Sequence, residues 1–215
     1  MNRVPLRSAL TTVMQDLARS GLNQGAAGNA SARIATGMVI TPTGVRALEL
    51  HDDQHVEMSL DGVVSANQCT PSSEWCLHGD IYRTRPEVNA VVHVHSPYAT
   101  ALACLRREIP AFHYMVAIGG GASIRCARYA TFGTQALSTA VMEALSERRA
   151  CLLANHGVVA VGASIKAAYE LALAIEDLAH QYCITLQCGG PVLLCASEMH
   201  EVLERFKTYG QQSAE

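Results

Sequence analysis

Hydrophobic side chains recur with helical spacing in some segments of the chain and cluster in short runs in others. Over residues 4–20, leucine, valine and methionine return every three or four positions until Gly21 ends the pattern, which is typical of an amphipathic helix. Residues 164–184 repeat this pattern over a longer distance. The helices predicted in this way cover residues 4–20, 71–83, 134–148, 164–184 and 198–209. A further helix is expected to begin at Pro97 with Ser96 as its cap, because proline is tolerated in the first turn.

Short runs rich in β-branched residues predict the strands. The segment 56–64 is expected to form a hairpin, because Asp61-Gly62 is a favoured two-residue turn. The small residues of segment 25–31 are expected to form a loop. Because helices interleave with strands that are partly joined by hairpins, we expect a single domain over residues 1–215, with helices packed on a mixed sheet. The other strands are predicted at residues 38–41, 88–95, 151–154 and 158–161.

The composition excludes several classes of protein. Apolar residues make up 49% of the 215 residues and charged residues only 16%, which is the opposite of a disordered chain. The net charge of −3 offers no basic excess for nucleic acid, and no segment predicts a membrane span or a secretory signal. The eight cysteines form no C-x-x-C pair, so reduced thiols and a cytoplasmic location are expected.

Three histidines have the spacing of metal ligands. His93 and His95 are two residues apart on a predicted strand, so their side chains share one face. His156 follows a second predicted strand. Three imidazole nitrogens suit Zn²⁺, which keeps a fourth position open in catalytic sites. The alternative for the His-x-His pair alone is the polar face of an ordinary strand. Most of the remaining histidines are expected to be surface or core residues: His51, His55, His78, His113, His180 and His200.

Three short polar loops form a second candidate site. They are Gly28-Asn29, Thr43-Gly44 and Ser72-Ser73. Each combines backbone N–H groups with a hydroxyl or an amide, and the third precedes a predicted helix, where a serine can cap the first turn and anions are favoured. None has the spacing of a nucleotide-binding loop, and each alone is compatible with an ordinary turn. Glu74 belongs either to this site or to the helix, as a first-turn carboxylate that complements the dipole.

Seven short strings occur along the chain in one order. They are Gly28–Ser31, Ile40–Gly44, Ser72–Trp75, Ala90–His95, His113–Met115, Tyr129–Thr134 and Asn155–Gly157. This order resembles the class II aldolase and adducin family over essentially the whole chain, and most strongly the members that cleave L-fuculose 1-phosphate. The resemblance implies an α/β fold with a central, mostly antiparallel sheet flanked by helices. It also implies a zinc-dependent homotetramer with active sites between neighbouring subunits.

The resemblance further implies roles for particular residues. His93, His95 and His156 would bind Zn²⁺, and Glu74 would be a fourth ligand that becomes the acid/base once substrate displaces it. Tyr114 would reach the site of the adjacent subunit as a proton donor. The substrate phosphate would be held by Gly28, Asn29, Thr43, Gly44, Ser72 and Ser73. The positions near the aldehyde would be Phe132 and Tyr209.

The implied reaction is reversible cleavage of a ketose 1-phosphate. The expected substrate is L-fuculose 1-phosphate, and the products are dihydroxyacetone phosphate and L-lactaldehyde. Zinc would stabilise the charge that develops beside the carbonyl, so no Schiff-base lysine is needed. The chain accordingly has only Lys166 and Lys207, and neither lies in a motif that suggests one. Glu74 would take a proton from dihydroxyacetone phosphate, and Tyr114 would protonate the alkoxide formed from the aldehyde.

The sequence leaves other functions open. Ala47 and Asn155 stand where aldolases of this family often carry a tyrosine and a histidine. An epimerase, a dehydratase or a decarboxylase of another sugar phosphate would share the metal and phosphate sites. No aspartate lies between Asp80 and Asp177, which disfavours an epimerase. A non-catalytic interaction domain like the adducin head is disfavoured because such domains typically lose the ligands that are present here.

Overall fold

A seven-stranded sheet forms the centre of the computed structural model, which describes residues 3–208 and, from residue 5 onward, their side chains. The strands lie in the order β3-β2-β1-β4-β7-β6-β5, and every neighbouring pair is antiparallel except β5 and β6. The strands are β1 (Asn29–Ile34), β2 (Gly37–Ile40), β3 (Val56–Met58), β4 (Ala90–Val94), β5 (Cys126–Ala127), β6 (Ala150–Leu153) and β7 (Gly157–Gly162).

Helices cover both faces of this sheet. Leu10, Leu102 and Ile175 belong to the hydrophobic core on one face, which places α1, α3 and α5 there. Leu77 and Val141 bring α2 and α4 onto the core of the other face. The helices are α1 (Arg3–Arg19), α2 (Trp75–Thr84), α3 (Pro97–Cys104), α4 (Gln135–Ala144), α5 (Ile165–Gln187) and α6 (Ala196–Phe206). This confirms the expected α/β class with a central, mostly antiparallel sheet flanked by helices.

Strand β4 lies near the middle of the sheet and is buried along its whole length. Because side chains alternate across a strand, Ala90, Val92 and Val94 join the core beneath α1, α3 and α5. Val91 joins the core beneath α2 and α4. His93 is in phase with Val91, so its ring lies on the side of the sheet that α2 covers.

The loop predicted over residues 25–31 was wrong for its last three residues, which belong to a strand. Strand β1 begins at Asn29 and lies between β2 and β4. Its residues Ala30, Ser31 and Ala32 are small and fully or almost fully buried. None of the three is β-branched, so their sequence does not predict a strand. They adopt the strand conformation because they pair with β2 on one side and β4 on the other. The chain reverses direction in the predicted hairpin at 56–64, but not through a two-residue Asp61-Gly62 turn: the Ser59 carbonyl accepts the backbone N–H of Gly62 at 3.2 Å, so Leu60 and Asp61 are the central residues. Only a single bridge joins Met58 to Val64, and β3 pairs mainly with β2.

Two predicted serine caps were also wrong. Helix α2 begins at Trp75 with Glu74 as its N-cap, and neither serine caps it; the Ser72 hydroxyl accepts the backbone N–H of Glu74 at 3.3 Å. Ser96 is the N-cap residue of α3, but its side chain forms no cap bond. The carboxylate of Glu176 on α5 accepts the first backbone N–H groups of α3 instead.

Among residues 3–208, no helix combines the length and the hydrophobicity that crossing a membrane requires. All eight cysteines lie in this part of the chain as free thiols. Tyr209, which is predicted to lie near the aldehyde, falls outside the described residues.

Candidate active site

Three histidine rings meet where β4 and β7 lie side by side. His93 lies on β4, His95 follows its last residue, and His156 lies in the turn between β6 and β7. The antiparallel register pairs His93 with Val159, so the turn comes close to the end of β4. The three ring centroids are 4.8, 4.8 and 4.9 Å apart and the planes cross at 70–76°. Their ligand nitrogens all lie within 4.8 Å of one another, as a shared metal ion requires.

The local hydrogen bonds and burial favour neutral rings with free ligand nitrogens. His93 Nδ1 lies 2.9 Å from the carbonyl oxygen of Val158. Because a carbonyl only accepts, Nδ1 carries a proton, which makes Nε2 the nitrogen of this ring that is available to a metal. Burial and the neighbouring rings lower the pKa of His95 to about 4, and burial and His93 lower the pKa of His156 to about 4.

Glu74 brings a carboxylate to the same point from the N-cap of α2. Its Oε2 lies 3.2 Å from His93 Nε2, and its Oε1 lies 3.5 Å from His156 Nε2. Oε2 accepts a hydrogen bond of 2.9 Å from Asn29 Nδ2, whereas Oε1 is buried without a hydrogen-bond partner among the described residues. Burial opposes ionisation, but His93, His156 and the Asn29 amide outweigh it and hold the pKa of Glu74 below its usual value.

These residues fit a metal ion of the zinc type. Three neutral imidazoles form the nitrogen set of a catalytic zinc site. The unpartnered carboxylate oxygen of Glu74 is a group that a metal would satisfy, since a buried polar atom without a partner costs stability. The arrangement brings together all four residues that the sequence proposes as ligands.

A cavity of about 300 Å³ opens above this cluster. Glu74, His95 and His156 lie on its wall, while His93 is fully buried beneath them. The exposed rings of Tyr129 and Phe132 form part of its apolar side. All six residues predicted to hold phosphate also line it: Gly28, Asn29, Thr43, Gly44, Ser72 and Ser73.

The first of these loops needs glycine for a steric reason. Gly28 has a φ of +74°, and a Cβ at this position would lie 2.3 Å from Asn23 Nδ2. The side chain of Asn23 is buried, and its Oδ1 accepts the backbone N–H of His95 at 3.0 Å. Asn23 therefore joins the loop that lines the cavity to the strand end that carries a histidine, a connection that sequence analysis missed.

A buried polar group behind Glu74 was also missed. His78 on α2 is fully buried and contacts Asn29 on one side and Ser31 on the other, and the Ser31 hydroxyl contacts Tyr82. Sequence analysis predicted only that His78 would be a surface or a core residue. A signal was present, because Glu74, His78 and Tyr82 are four residues apart and so share one face of a helix.

Tyr114 does not line the cavity of its own chain. It begins a 3₁₀ helix, Tyr114–Gly119, with 51% of its surface exposed, and its ring stacks on His113. Its predicted role requires the site of another subunit. Asn155 does line the cavity and has a φ of +55°. Its Oδ1 accepts a hydrogen bond of 3.0 Å from Arg106 Nε, which holds the residue that precedes His156.

Comparisons with known proteins agree with this fold. The family model for the class II aldolase and adducin N-terminal domain matches residues 8–183. The chain is 48% identical to a 5-methylthioribulose-1-phosphate/5-deoxyribulose-1-phosphate aldolase of Rhodospirillum rubrum, over 99% of this chain and 96% of the relative. It is 46% identical to an L-fuculose phosphate aldolase of Escherichia coli, over 98% of each. A solved L-fuculose 1-phosphate aldolase superposes with a TM-score of 0.91 at 36% identity, covering 96% of this chain and all of that one.

The chain therefore belongs to the class II aldolase and adducin family, as its ordered motifs predict. Aldolases of this family are metal-dependent aldehyde-lyases that act on sugar phosphates. The three-histidine cluster gives this chain a site for such a metal.

Proposed function

We propose that this chain is a zinc-dependent aldolase that reversibly cleaves a ketose 1-phosphate into dihydroxyacetone phosphate and an aldehyde. The observation that carries the proposal is the meeting of His93, His95, His156 and Glu74 at one point, where all of them except the buried His93 lie on the wall of one cavity. The polar loops predicted to hold phosphate line the same cavity. A substrate could therefore place its phosphate on the loops and its carbonyl beside the histidines.

The histidines would hold zinc through three nitrogens, with Glu74 as the fourth ligand until substrate replaces it. Bound there, zinc would supply Lewis acidity that stabilises negative charge beside the ketone. Loops at Gly28-Asn29, Thr43-Gly44 and Ser72-Ser73 would anchor the phosphate. Binding energy gained away from the reacting bond orients the substrate at the carboxylate.

Two proton transfers complete the reaction in the condensing direction. Glu74 accepts the proton from the hydroxyl-bearing carbon of dihydroxyacetone phosphate, and the electron pair left on that carbon forms the bond to the aldehyde carbon. Tyr114 of the neighbouring subunit donates a proton to the aldehyde oxygen, which becomes the new hydroxyl. Cleavage follows the same steps in reverse.

The first candidate substrate is L-fuculose 1-phosphate, whose aldehyde product carries a methyl group and a hydroxyl. The second candidate is a 5-deoxy- or 5-methylthio-ribulose 1-phosphate, whose aldehyde lacks that hydroxyl. The 48% identity to the Rhodospirillum rubrum relative favours the second candidate. The exposed rings of Tyr129 and Phe132 beside the cavity suit the apolar end of either aldehyde.

Cleavage of both substrates by the purified, zinc-loaded protein tests the proposal. We expect release of dihydroxyacetone phosphate that a chelator abolishes and that added zinc restores. The ratio of kcat/KM for the two substrates then decides between the two candidates. Stoichiometric zinc without cleavage of either substrate would contradict the aldolase assignment and favour a decarboxylase or a dehydratase. A protein that binds no metal would instead support the interaction-domain alternative.

The assembly and the location of the protein are part of the same proposal. Tyr114 is half exposed and does not line its own cavity, which supports a homotetramer with sites shared between subunits. Eight free thiols are typical of a reducing compartment, which supports a cytoplasmic location.

A further inference from the structure

A buried row of polar groups extends from α2 through β1 to Glu74. Tyr82 Oη lies 2.7 Å from Ser31 Oγ, and Ser31 Oγ lies 2.7 Å from His78 Nδ1. His78 Nε2 lies 2.6 Å from Asn29 Oδ1, and Asn29 Nδ2 lies 2.9 Å from Glu74 Oε2. Every one of these residues is at most 6% exposed, so the bonds are largely shielded from solvent, although Asn29 and Glu74 also line the cavity.

The donor and the acceptor of each hydrogen bond in this row can be assigned in turn, starting from the carboxylate of Glu74. An ionised carboxylate only accepts, so Asn29 must point its NH₂ group at Glu74 and its carbonyl oxygen at His78. That oxygen also only accepts, so His78 carries its proton on Nε2. A neutral ring then has a lone pair on Nδ1, which accepts the hydrogen of Ser31. Ser31 in turn accepts from Tyr82. Burial lowers the pKa of His78 to about 3, in agreement with a neutral ring.

The amide of Asn29 has no steric preference between its two orientations, because its oxygen and nitrogen are nearly the same size. After a half-turn, Oδ1 would face Glu74 Oε2, and two acceptors would lie at hydrogen-bonding distance without a proton between them. The acceptor Glu74 Oε2 on one side of the amide and a donor on its far side together select the observed orientation. His78 Nε2 is the donor that the structure places there.

We propose that His78 is a positioning residue that acts on Glu74 through Asn29. His78 holds the Asn29 amide so that its N–H group always donates to Glu74 Oε2. Glu74 Oε1 is then the carboxylate oxygen that can bind the metal or accept the substrate proton. The inference rests on the proposed function, because it assigns Glu74 as the base.

The test compares three variants of the zinc-loaded protein. His78→Phe removes both ring nitrogens at similar volume, and His78→Gln keeps an amide N–H that can reach Asn29 Oδ1. His55→Phe is the matched control, because His55 is equally buried and its Nε2 lies 2.8 Å from the hydroxyl of Thr11 on α1, outside this row. For each we measure zinc per chain, the KM for dihydroxyacetone phosphate and the rate of deuterium exchange at its hydroxyl-bearing carbon.

We expect His78→Phe to slow exchange about 10- to 100-fold, which is typical for loss of a group that orients a ligand. The zinc content should stay within about twofold of the wild type, because the three histidines are intact. The KM should change much less than the exchange rate, because five of the six residues predicted to hold the phosphate are untouched. His78→Gln should restore most of the rate, and His55→Phe should exchange at the wild-type rate. Wild-type exchange in His78→Phe, or equal loss in the Phe and Gln variants, would overturn the inference.

A second measurement does not depend on activity or on the folding of a variant. The ¹⁵N spectrum of histidine-labelled, zinc-loaded wild type should show His78 as the Nε2–H tautomer, and a proton on Nδ1 would overturn the inference. If the wild type itself fails to exchange deuterium, the base assignment of the proposed function has failed. If the wild type exchanges deuterium and His78→Phe exchanges at the same rate, only the role of His78 has failed.

Discussion

At the scale of single residues, Glu74 is held by several neighbours at once. It is the N-cap of α2, but its side chain turns away from the helix and lies between two histidines and Asn29. One carboxylate oxygen is bonded, and the other has no hydrogen-bond partner within the part of the chain that the structure describes. A carboxylate that is oriented in this way and shielded from water suits a proton transfer at a carbon atom.

Replacing Glu74 by Gln is expected to keep zinc but abolish proton exchange on dihydroxyacetone phosphate. The three histidines still bind the metal, whereas an amide cannot accept the proton, so the exchange rate should fall by at least about 100-fold. Deuterium uptake and zinc analysis on the same sample measure both effects. Glu170→Gln, on the exposed face of α5, is the control and should exchange normally. Undiminished exchange in Glu74→Gln would falsify the base assignment.

The variant Tyr114→Phe is expected to separate the two proton transfers. Without the hydroxyl, carbon–carbon bond formation should slow by about 100-fold, while deuterium exchange stays near the wild-type rate because it precedes the tyrosine step. Condensation and exchange assays with the same enzyme provide the comparison. Tyr98→Phe, which alters another exposed tyrosine, should leave both rates unchanged. An equal loss of both steps in Tyr114→Phe would show a structural role instead.

At the scale of secondary-structure elements, the metal cluster depends on how closely the turn before β7 approaches the end of β4. Gly157 permits this approach. A Cβ on Gly157 would lie 2.3 Å from the carbonyl oxygen of Val94, 3.1 Å from His95 Cδ2 and 3.2 Å from His93 Cε1. The hairpin and the strand must therefore move apart if any larger residue stands there.

We expect Gly157→Ala to weaken zinc binding by about tenfold or more, because it shifts the ligands relative to one another. Overpacking should also cost about 1–3 kcal/mol of the free energy of unfolding. Competition with a chromophoric chelator gives the affinity, and thermal unfolding gives the stability. Gly21→Ala has open space around it but a φ of +76°, so it should cost about 1 kcal/mol and leave zinc affinity unchanged. Equal zinc affinity in both variants would show that the approach of the hairpin does not matter.

A buried histidine between α1 and the edge of the sheet makes the free energy of unfolding depend on pH. His55 is buried there beside Thr11, and burial together with Arg7 lowers its pKa to about 4. Between about pH 4 and 6.5 the unfolded chain binds a proton at this position and the folded chain does not. The free energy of unfolding therefore rises with pH across this window, by up to about 3 kcal/mol from this group.

The variant His55→Phe should lose that part of the pH dependence. Its free energy of unfolding should rise less steeply than that of the wild type between about pH 4 and 6.5, while the other buried histidines contribute equally to both. Urea unfolding in the presence of a chelator, at several pH values, measures the difference. Parallel curves for the two proteins would show that His55 ionises freely in the folded state.

At the scale of the whole molecule, the proposed site needs groups from two subunits. Glu74 would come from one chain and Tyr114 from its neighbour, so neither single variant has a complete site. Unfolding and refolding an equal mixture of Glu74→Gln and Tyr114→Phe chains should restore about one quarter of the wild-type sites by random assembly in a closed ring. Cleavage rates of the mixture against each variant alone provide the measurement. No gain in activity on mixing would place both residues in the same subunit.

Much of the fold was predictable because its patterns are local. The helical periodicity of α1 and α5 and the β-branched run of β4 each identify their element within a single segment. Strand β1 was missed because Ala30, Ser31 and Ala32 are small, and they become a strand only through pairing with β2 and β4. The helix caps were missed for a related reason, since the carboxylate that binds the first turn of α3 comes from α5.

The sequence by itself determined the family, the α/β class and the spacing that puts His93 and His95 on one face of a strand. These depend on motif order and on side-chain alternation, which are properties of neighbouring residues. The tertiary structure alone decided that Asn29 contacts Glu74, that His78 contacts Asn29, and that Tyr82 closes the row through Ser31. These contacts join residues 45 to 51 positions apart. No local pattern encodes such distances, because they depend on how α2 packs against β1.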